Sequence, residues 1–288
     1  MKFKLRKGHW KVAYRVDGKG NWKLVDSPKD GWAADPFLFE HNGETYLFAE
    51  IWSYRLGRGY LGCCRWNGNG FGEWKPVIQE PYHLSYPNVF EWNGKIYMLP
   101  EQYQSGDLGL YECQEFPYKW KKLKPFASDG EYVDSTILFK DGDAWLFTLR
   151  MNPKKHSEGE LLRARVISPA EIGESEVIER NAGKFHRPGG HFFEEDGKII
   201  RVAQNCENGY GSGLIFYEVL KCEDDGYQEN EKKRLFPDDY MIEDYEINKC
   251  TGVHTYNIFG NLEVVDMKKM EVSIDELMFR IKRKLKRR

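Results

Sequence analysis

Asp35-Pro36-Phe37-Leu38-Phe39-Glu40-His41-Asn42-Gly43-Glu44-Thr45-Tyr46-Leu47-Phe48-Ala49-Glu50 reads as two strands around a two-residue turn. Asn-Gly favours a type I′ turn, because both of its positions need positive φ. On either side, aromatic and branched residues alternate with polar ones, as antiparallel strands do. The pattern returns from Tyr86-Pro87 to Glu101 around Asn93-Gly94, and from Asp134-Ser135 to Leu149 around Asp141-Gly142. A fourth copy turns at Asp196-Gly197 and ends at Gln204. The turn glycines 43, 94, 142 and 197 are spaced by 51, 48 and 55 residues. A sheet unit that repeats at about 50 residues predicts a β-propeller.

A fifth, weaker unit runs from His254 through the turn Gly260-Asn261, which suits type II′, to Asp266. Third strands are expected at 60–66, 109–113, 161–166 and 213–219, with outer strands such as 73–78. The fifth unit has too little chain left for two more strands. Trp10–Tyr14 and Trp22–Val25 can supply them, and such closure leaves no open sheet edge. The expectation is an all-β, five-bladed β-propeller over 1–270, followed by a short basic amphipathic helix and tail over 271–288. Ser273 and Glu276 form a capping box. Ile274, Leu277, Met278, Ile281 and Leu285 follow helical spacing. Two readings stay open for this helix. Its stripe packs on the propeller and the last turn frays, or it makes a weak peripheral contact with an anionic membrane.

The composition fits a globular chain. Of its 288 residues, 41% are hydrophobic and 31% charged. The aromatic share of 15% suits strands and also sugar-stacking surfaces. No signal peptide or membrane-length apolar run is legible. The expected location is therefore the cytoplasm, with contact at the inner membrane face left open. The six cysteines form no Cys-x-x-Cys pair, which argues against a zinc or redox motif. Net charge is −2, but residues 280–288 hold seven Lys/Arg and no acid. Removing those seven from the 43 basic residues leaves 36 against 45 acids, a body at −9. An acidic body with a basic tail excludes an ordinary nucleic-acid binder.

A two-residue turn sets Asp35 opposite Glu50, Tyr86 opposite Glu101, Asp134 opposite Leu149 and Gly189 opposite Gln204. In a propeller these positions share one mouth. The sequence therefore predicts a ring of Asp35, Glu50, Glu101, Asp134 and Gln204, with Arg187 and His254 nearby and Tyr86 and Trp52 flanking it. Like charges directly opposed on paired strands are destabilising. Asp35 against Glu50 thus implies a bound group between them, a protonated partner or splayed strands. Paired carboxylates are what glycoside chemistry uses, one to protonate the leaving oxygen and one to activate water or attack. A purely structural ring is the competing reading. No dedicated metal site is expected, although a single axial Ca²⁺ would suit hard carboxylate oxygens.

Ala34-Asp35-Pro36-Phe37 resembles the five-bladed propeller glycosidases, the arabinanase, xylosidase and fructosidase group. The resemblance implies Asp35 as general base or nucleophile, Glu101 as general acid and Asp134 as an orienting residue. Tyr86-Pro87 departs from it, standing where an Asp-Pro is expected. A closer resemblance spans roughly residues 30 to 266. Its strings are Ser85-Tyr86-Pro87, Met98-Leu99-Pro100-Glu101, Asp134-Ser135-Thr136, Arg187-Pro188-Gly189-Gly190 and His254-Thr255-Tyr256-Asn257. These look like the N-terminal domain of glucosamine inositolphosphorylceramide transferases. That likeness implies the propeller fold and a role in cell-surface glycan or glycolipid biosynthesis. The transferase activity belongs to a separate domain and is not carried over. The expected function is a glycoside hydrolase or transglycosidase acting on a carbohydrate or glycolipid. The alternative is a non-catalytic glycan-binding or scaffold module that partners a glycosyltransferase.

Overall fold

A computed structural model describes residues 7–128, 130–155, 158–239 and 250–285, with the side chains of 282–284 left aside. The basic tail at 286–288 lies outside the described residues. Five antiparallel sheets form the blades of a propeller, followed by one helix, Ile274–Leu285. The first blade runs outward through Gly31–His41, Glu44–Ser53, Arg58–Arg65 and Lys75–Ile78. The next three open on Ser85–Trp92, Tyr132–Lys140 and Phe193–Glu195. The fifth blade combines both ends of the fold. Tyr256–Phe259 and Leu262–Glu271 are joined by Lys7–Val16 and then Lys23–Leu24.

The turn chemistry holds throughout. Asn42, Asn93, Asp141 and Asp196 sit at φ 53°, 50°, 52° and 53°, each before a positive-φ glycine, as type I′ requires. In the fifth hairpin only Gly260 has positive φ, at 57°, which fits type II′.

The core consists of wedges between neighbouring blades. Alternation along Glu44–Ser53 sends Leu47, Ala49 and Ile51 toward Val12, Tyr14 and Val264 of the fifth blade. Phe48, between them, turns the other way, to pack with Val89 and Met98 of the second blade. Each blade is buried on both faces, and a wedge side chain such as Phe48 cut to alanine costs about 3–5 kcal/mol.

The predicted register fails at one recurring place. Ala34, not Asp35, pairs with Glu50; Ser85 pairs with Glu101; Val133 pairs with Leu149. Pairing then resumes at Phe37–Phe48, Asn88–Leu99 and Thr136–Phe147. A β-bulge therefore inserts one extra residue at the same level in three blades. Asp35, Tyr86 and Asp134 are the bulged residues, at φ 50°, 47° and 48°. In the fourth blade the same end slips as well, with Pro188 opposite Ala203. The bulge swings Asp35 off its strand partner, so the direct opposition to Glu50 never forms.

The helix differs from expectation too. Ser273 caps it, its Oγ accepting the Glu276 N–H at 3.2 Å. Phe279, outside the predicted stripe, makes the contact with the propeller, against Trp52 and Tyr54.

Candidate active site at the propeller mouth

A non-glycine residue in the left-handed region costs about 1–3 kcal/mol and persists only when its surroundings fix it. Here the surroundings are the bulges of neighbouring blades. The Asp35 N–H donates to Asp266 Oδ2 at 3.0 Å, and the Tyr86 N–H donates to Asp35 Oδ2 at 3.1 Å. Each freed amide is thus capped by a carboxylate from the blade before it. Asp266 Oδ1 also accepts the N–H groups of His254 and Thr255, both at 3.0 Å.

Two charged groups result. In the first, His254 stands between carboxylates, Nε2 3.0 Å from Asp35 Oδ1 and Nδ1 2.8 Å from Asp266 Oδ2. The Thr255 hydroxyl donates to Asp35 Oδ1 at 2.9 Å. Burial opposes the charged imidazole, yet Asp266 and Asp35 outweigh it and hold His254 well above its usual value. In the second, the Arg187 guanidinium binds Asp134 through Nε and reaches Glu101 Oε2 at 3.4 Å. Gln204 Nε2 donates to Asp134 Oδ2 at 2.6 Å.

Burial works against the charge of two further carboxyls. Burial first, then the Asp134 charge, raises Glu101 well above the usual carboxylate range despite Arg187. Burial and then Asp35 do the same to Glu50. Glu50 Oε1 has no hydrogen-bond partner among the described residues, and His83 Nε2 stands 3.5 Å away. Gln204 Oε1 is likewise buried and unpaired. None of Asp35, Glu50, Glu101 and Asp134 is more than 7% exposed.

The predicted residues Asp35, Glu50, Glu101, Asp134, Arg187, Gln204 and His254 thus meet at one end of the axis. Tyr86 lies across the axis, fully buried. Its hydroxyl accepts the Gly190 N–H at 2.7 Å and lies 2.9 Å from Thr136 Oγ1. Trp52 is at the rim, stacked on Trp32 with 5.6 Å between ring centroids. A cavity of about 530 Å³ opens beside Arg187 and Tyr210, walled by Leu149, Met151, Lys184 and Cys206.

Three residues escaped the sequence reading. Asp266 is fully buried; its signal was a second acid, after Glu263, at the end of the strand-like segment Leu262-Glu263-Val264-Val265-Asp266. Tyr210 covers both charged groups, 5.3 Å from the Arg187 guanidinium and 4.8 Å from the His254 ring. Trp10 lies 4.1 Å from His254 on the other side. Among the described residues, Asp35, His254 and Asp266 are the set that could hold a metal ion, their ligand atoms lying within 4.8 Å of one another.

Comparison with known proteins bears on the family and the fold. The family model for the N-terminal part of glucosamine inositolphosphorylceramide transferase 1 matches residues 6–243. The Arabidopsis thaliana protein of that name is 33% identical over 236 residues, which are 78% of this chain and 30% of that protein. The Oryza sativa subsp. indica protein is 30% identical over 204 residues, 68% of this chain and 27% of its own length. The chain therefore spans under a third of these relatives. Among solved structures, the catalytic domain of a Coprinopsis cinerea GH62 alpha-L-arabinofuranosidase superposes with TM-score 0.62. Identity there is 13%, with 92% of this chain and 98% of that one covered. A beta-xylosidase, RS223, gives TM-score 0.58 at 11% identity, covering 90% of this chain and 94% of its own. At such identities the likeness shows the fold alone.

Proposed function

We propose, since the chain belongs to the glucosamine inositolphosphorylceramide transferase N-terminal family, that this propeller is a carbohydrate-active domain whose mouth works on a glycosidic bond. The observation that carries the reading is the split among its carboxyls. Burial and Asp134 hold Glu101 above the usual carboxylate range, while Asp35 lies 3.0 Å from His254 Nε2. Environments that push neighbouring carboxyls apart are how one site holds an acid and a base.

Glu101 is then the general acid, held by Arg187, which lines the cavity. Asp35 is the base or nucleophile, and Asp134 positions Arg187. Glu50 and Gln204 carry buried oxygens without partners, and buried polar atoms are normally paired. A sugar hydroxyl would supply the missing bonds. Trp52 on Trp32 offers a stacking face at the rim. Cell-surface glycans and glycolipids are the proposed substrate class, of which the relatives' names support the glycolipid, and the cytoplasm is the proposed site of action. A divalent ion such as Ca²⁺ would bind at Asp35 and Asp266 only by displacing the His254 proton.

The rival is a glycan-binding or scaffold module that partners a glycosyltransferase. It is favoured by the full set of hydrogen bonds on Asp35. The two are separated by product analysis and binding on a glycan panel with Glu101→Gln and Asp35→Asn. Lost turnover with folding and binding retained supports glycosidic chemistry. Binding without turnover in the unaltered protein establishes the module.

A further inference from the structure

The C-terminal helix turns its apolar stripe away from the protein. Ile274, Met278, Ile281 and Leu285 are 77%, 49%, 40% and 67% exposed. Their spacings of four, three and four residues keep them within one narrow sector at about 100° per residue. Phe279, by which the helix is attached, falls on the opposite side. Its ring lies 6.5 Å from Trp52 and 6.1 Å from Tyr54, and it touches the space beside Gly57. Glu276 on that inner side reaches within 3.9 Å of His9. The helix is thus docked by one face, and the propeller leaves the other uncovered.

The chemistry around that stripe selects its occupant. Residues 280–288 carry seven Lys/Arg and no acid, while the rest of the chain is acidic. The cations therefore gather at the C-terminal end of the sequence that carries the stripe. One exposed apolar row in a cation-rich sequence, on a helix too short and polar to cross a bilayer, is the pattern of helices that lie in an anionic lipid interface. Each Lys or Arg near such a surface adds about 1 kcal/mol.

The position of the helix gives the contact a purpose. Trp52 lies two residues beyond Glu50 on the same strand and the same face. Its ring is 5.9 Å from His83, whose Nε2 is 3.5 Å from Glu50 Oε1. The chain of contacts from helix to carboxylate ring is therefore Phe279, Trp52, His83, Glu50. We infer that the C-terminal helix docks the propeller on an anionic membrane surface with its mouth beside the lipid headgroups, so that the substrate is a lipid-linked glycan. The docking stands on the helix alone; the substrate class rests on the function proposed above.

The test is flotation of the full chain with vesicles of phosphatidylcholine, alone or mixed with phosphatidylglycerol. Binding should need the anionic lipid, weaken with salt and fall at least about tenfold in Ile274→Asp/Met278→Asp/Ile281→Asp. Those positions are exposed, so the melting temperature of this variant should not move. Phe279→Ala should keep vesicle binding but lose preference for a lipid-linked over a water-soluble glycan. Glu101→Gln should float like the unaltered chain, which separates docking from chemistry. Equal flotation of the triple variant, or none by the unaltered chain, overturns the inference. So does an oligomer that the triple variant dissolves, since the stripe would then be a self-contact.

Discussion

Asp35 and Tyr86 hold the same bulge position in adjacent blades, and the carboxylate of one accepts the backbone N–H of the other at 3.1 Å. The group proposed for chemistry is therefore also a structural clasp between blades. Asp35→Ala should cost about 3–5 kcal/mol, because it strands the buried His254 charge and the Tyr86 amide. Asp35→Asn keeps an acceptor and should cost clearly less. Urea unfolding of the two variants checks the order.

Stability should pass through a maximum in mildly acid solution. Glu50 and Glu101 are raised in the folded state, so the unfolded chain releases these protons first, from about pH 4.3 upward, and stability falls. The raised His254 acts with the same sign. Its contribution is complete below about pH 6.5 and is lost as pH climbs through its folded value. Glu229 and Glu271, both held down to about 2, act oppositely: their stabilisation is present above about pH 4.3 and lost as pH falls toward 2. Glu50→Gln should flatten the alkaline limb and raise the melting temperature at neutral pH. A steeper limb in that variant would contradict the upward shift of Glu50.

Removing the Tyr86 hydroxyl leaves the buried Gly190 N–H without its 2.7 Å acceptor. Tyr86→Phe should cost about 1–3 kcal/mol with an unchanged denaturant slope. A neutral effect would mean that the hydroxyl does not tie the blades together.

Arg187 draws the pKa of Glu101 down, against burial and Asp134, which raise it. Arg187→Gln should therefore push Glu101 higher still, moving the alkaline limb of any turnover profile upward while reducing its height. Arg187→Lys, lacking the planar fork, should fail to restore the height. A limb that moves downward would exclude Glu101 as the acid.

The fold was legible because its information is local. Asn42-Gly43 and its counterparts fix turn type, and alternation along Glu44–Ser53 fixes which side chains face which blade. The ring was legible in membership, from Asp35 to His254, but not in pairing. A bulge adds one residue without changing the polar pattern around it, and Asp-Pro, Tyr-Pro and Asp-Ser share no side chain that announces it. Asp266 stayed hidden because its unit is the most degenerate repeat. The attachment of the helix was misread because one aromatic, Phe279, outweighs a row of aliphatics when two rings wait opposite it.

The strand Lys7–Val16 lies between Leu262–Glu271 and Lys23–Leu24, and the same closing blade supplies Asp266 to cap Asp35. A nascent chain thus has four complete sheets in hand before its first long strand finds a neighbour. Until that late event the carboxylates have no common enclosure and His254 lacks Asp35. Ring closure and assembly of the charged cluster at Asp35 are one step, because His254 and Asp266 both come from the closing blade.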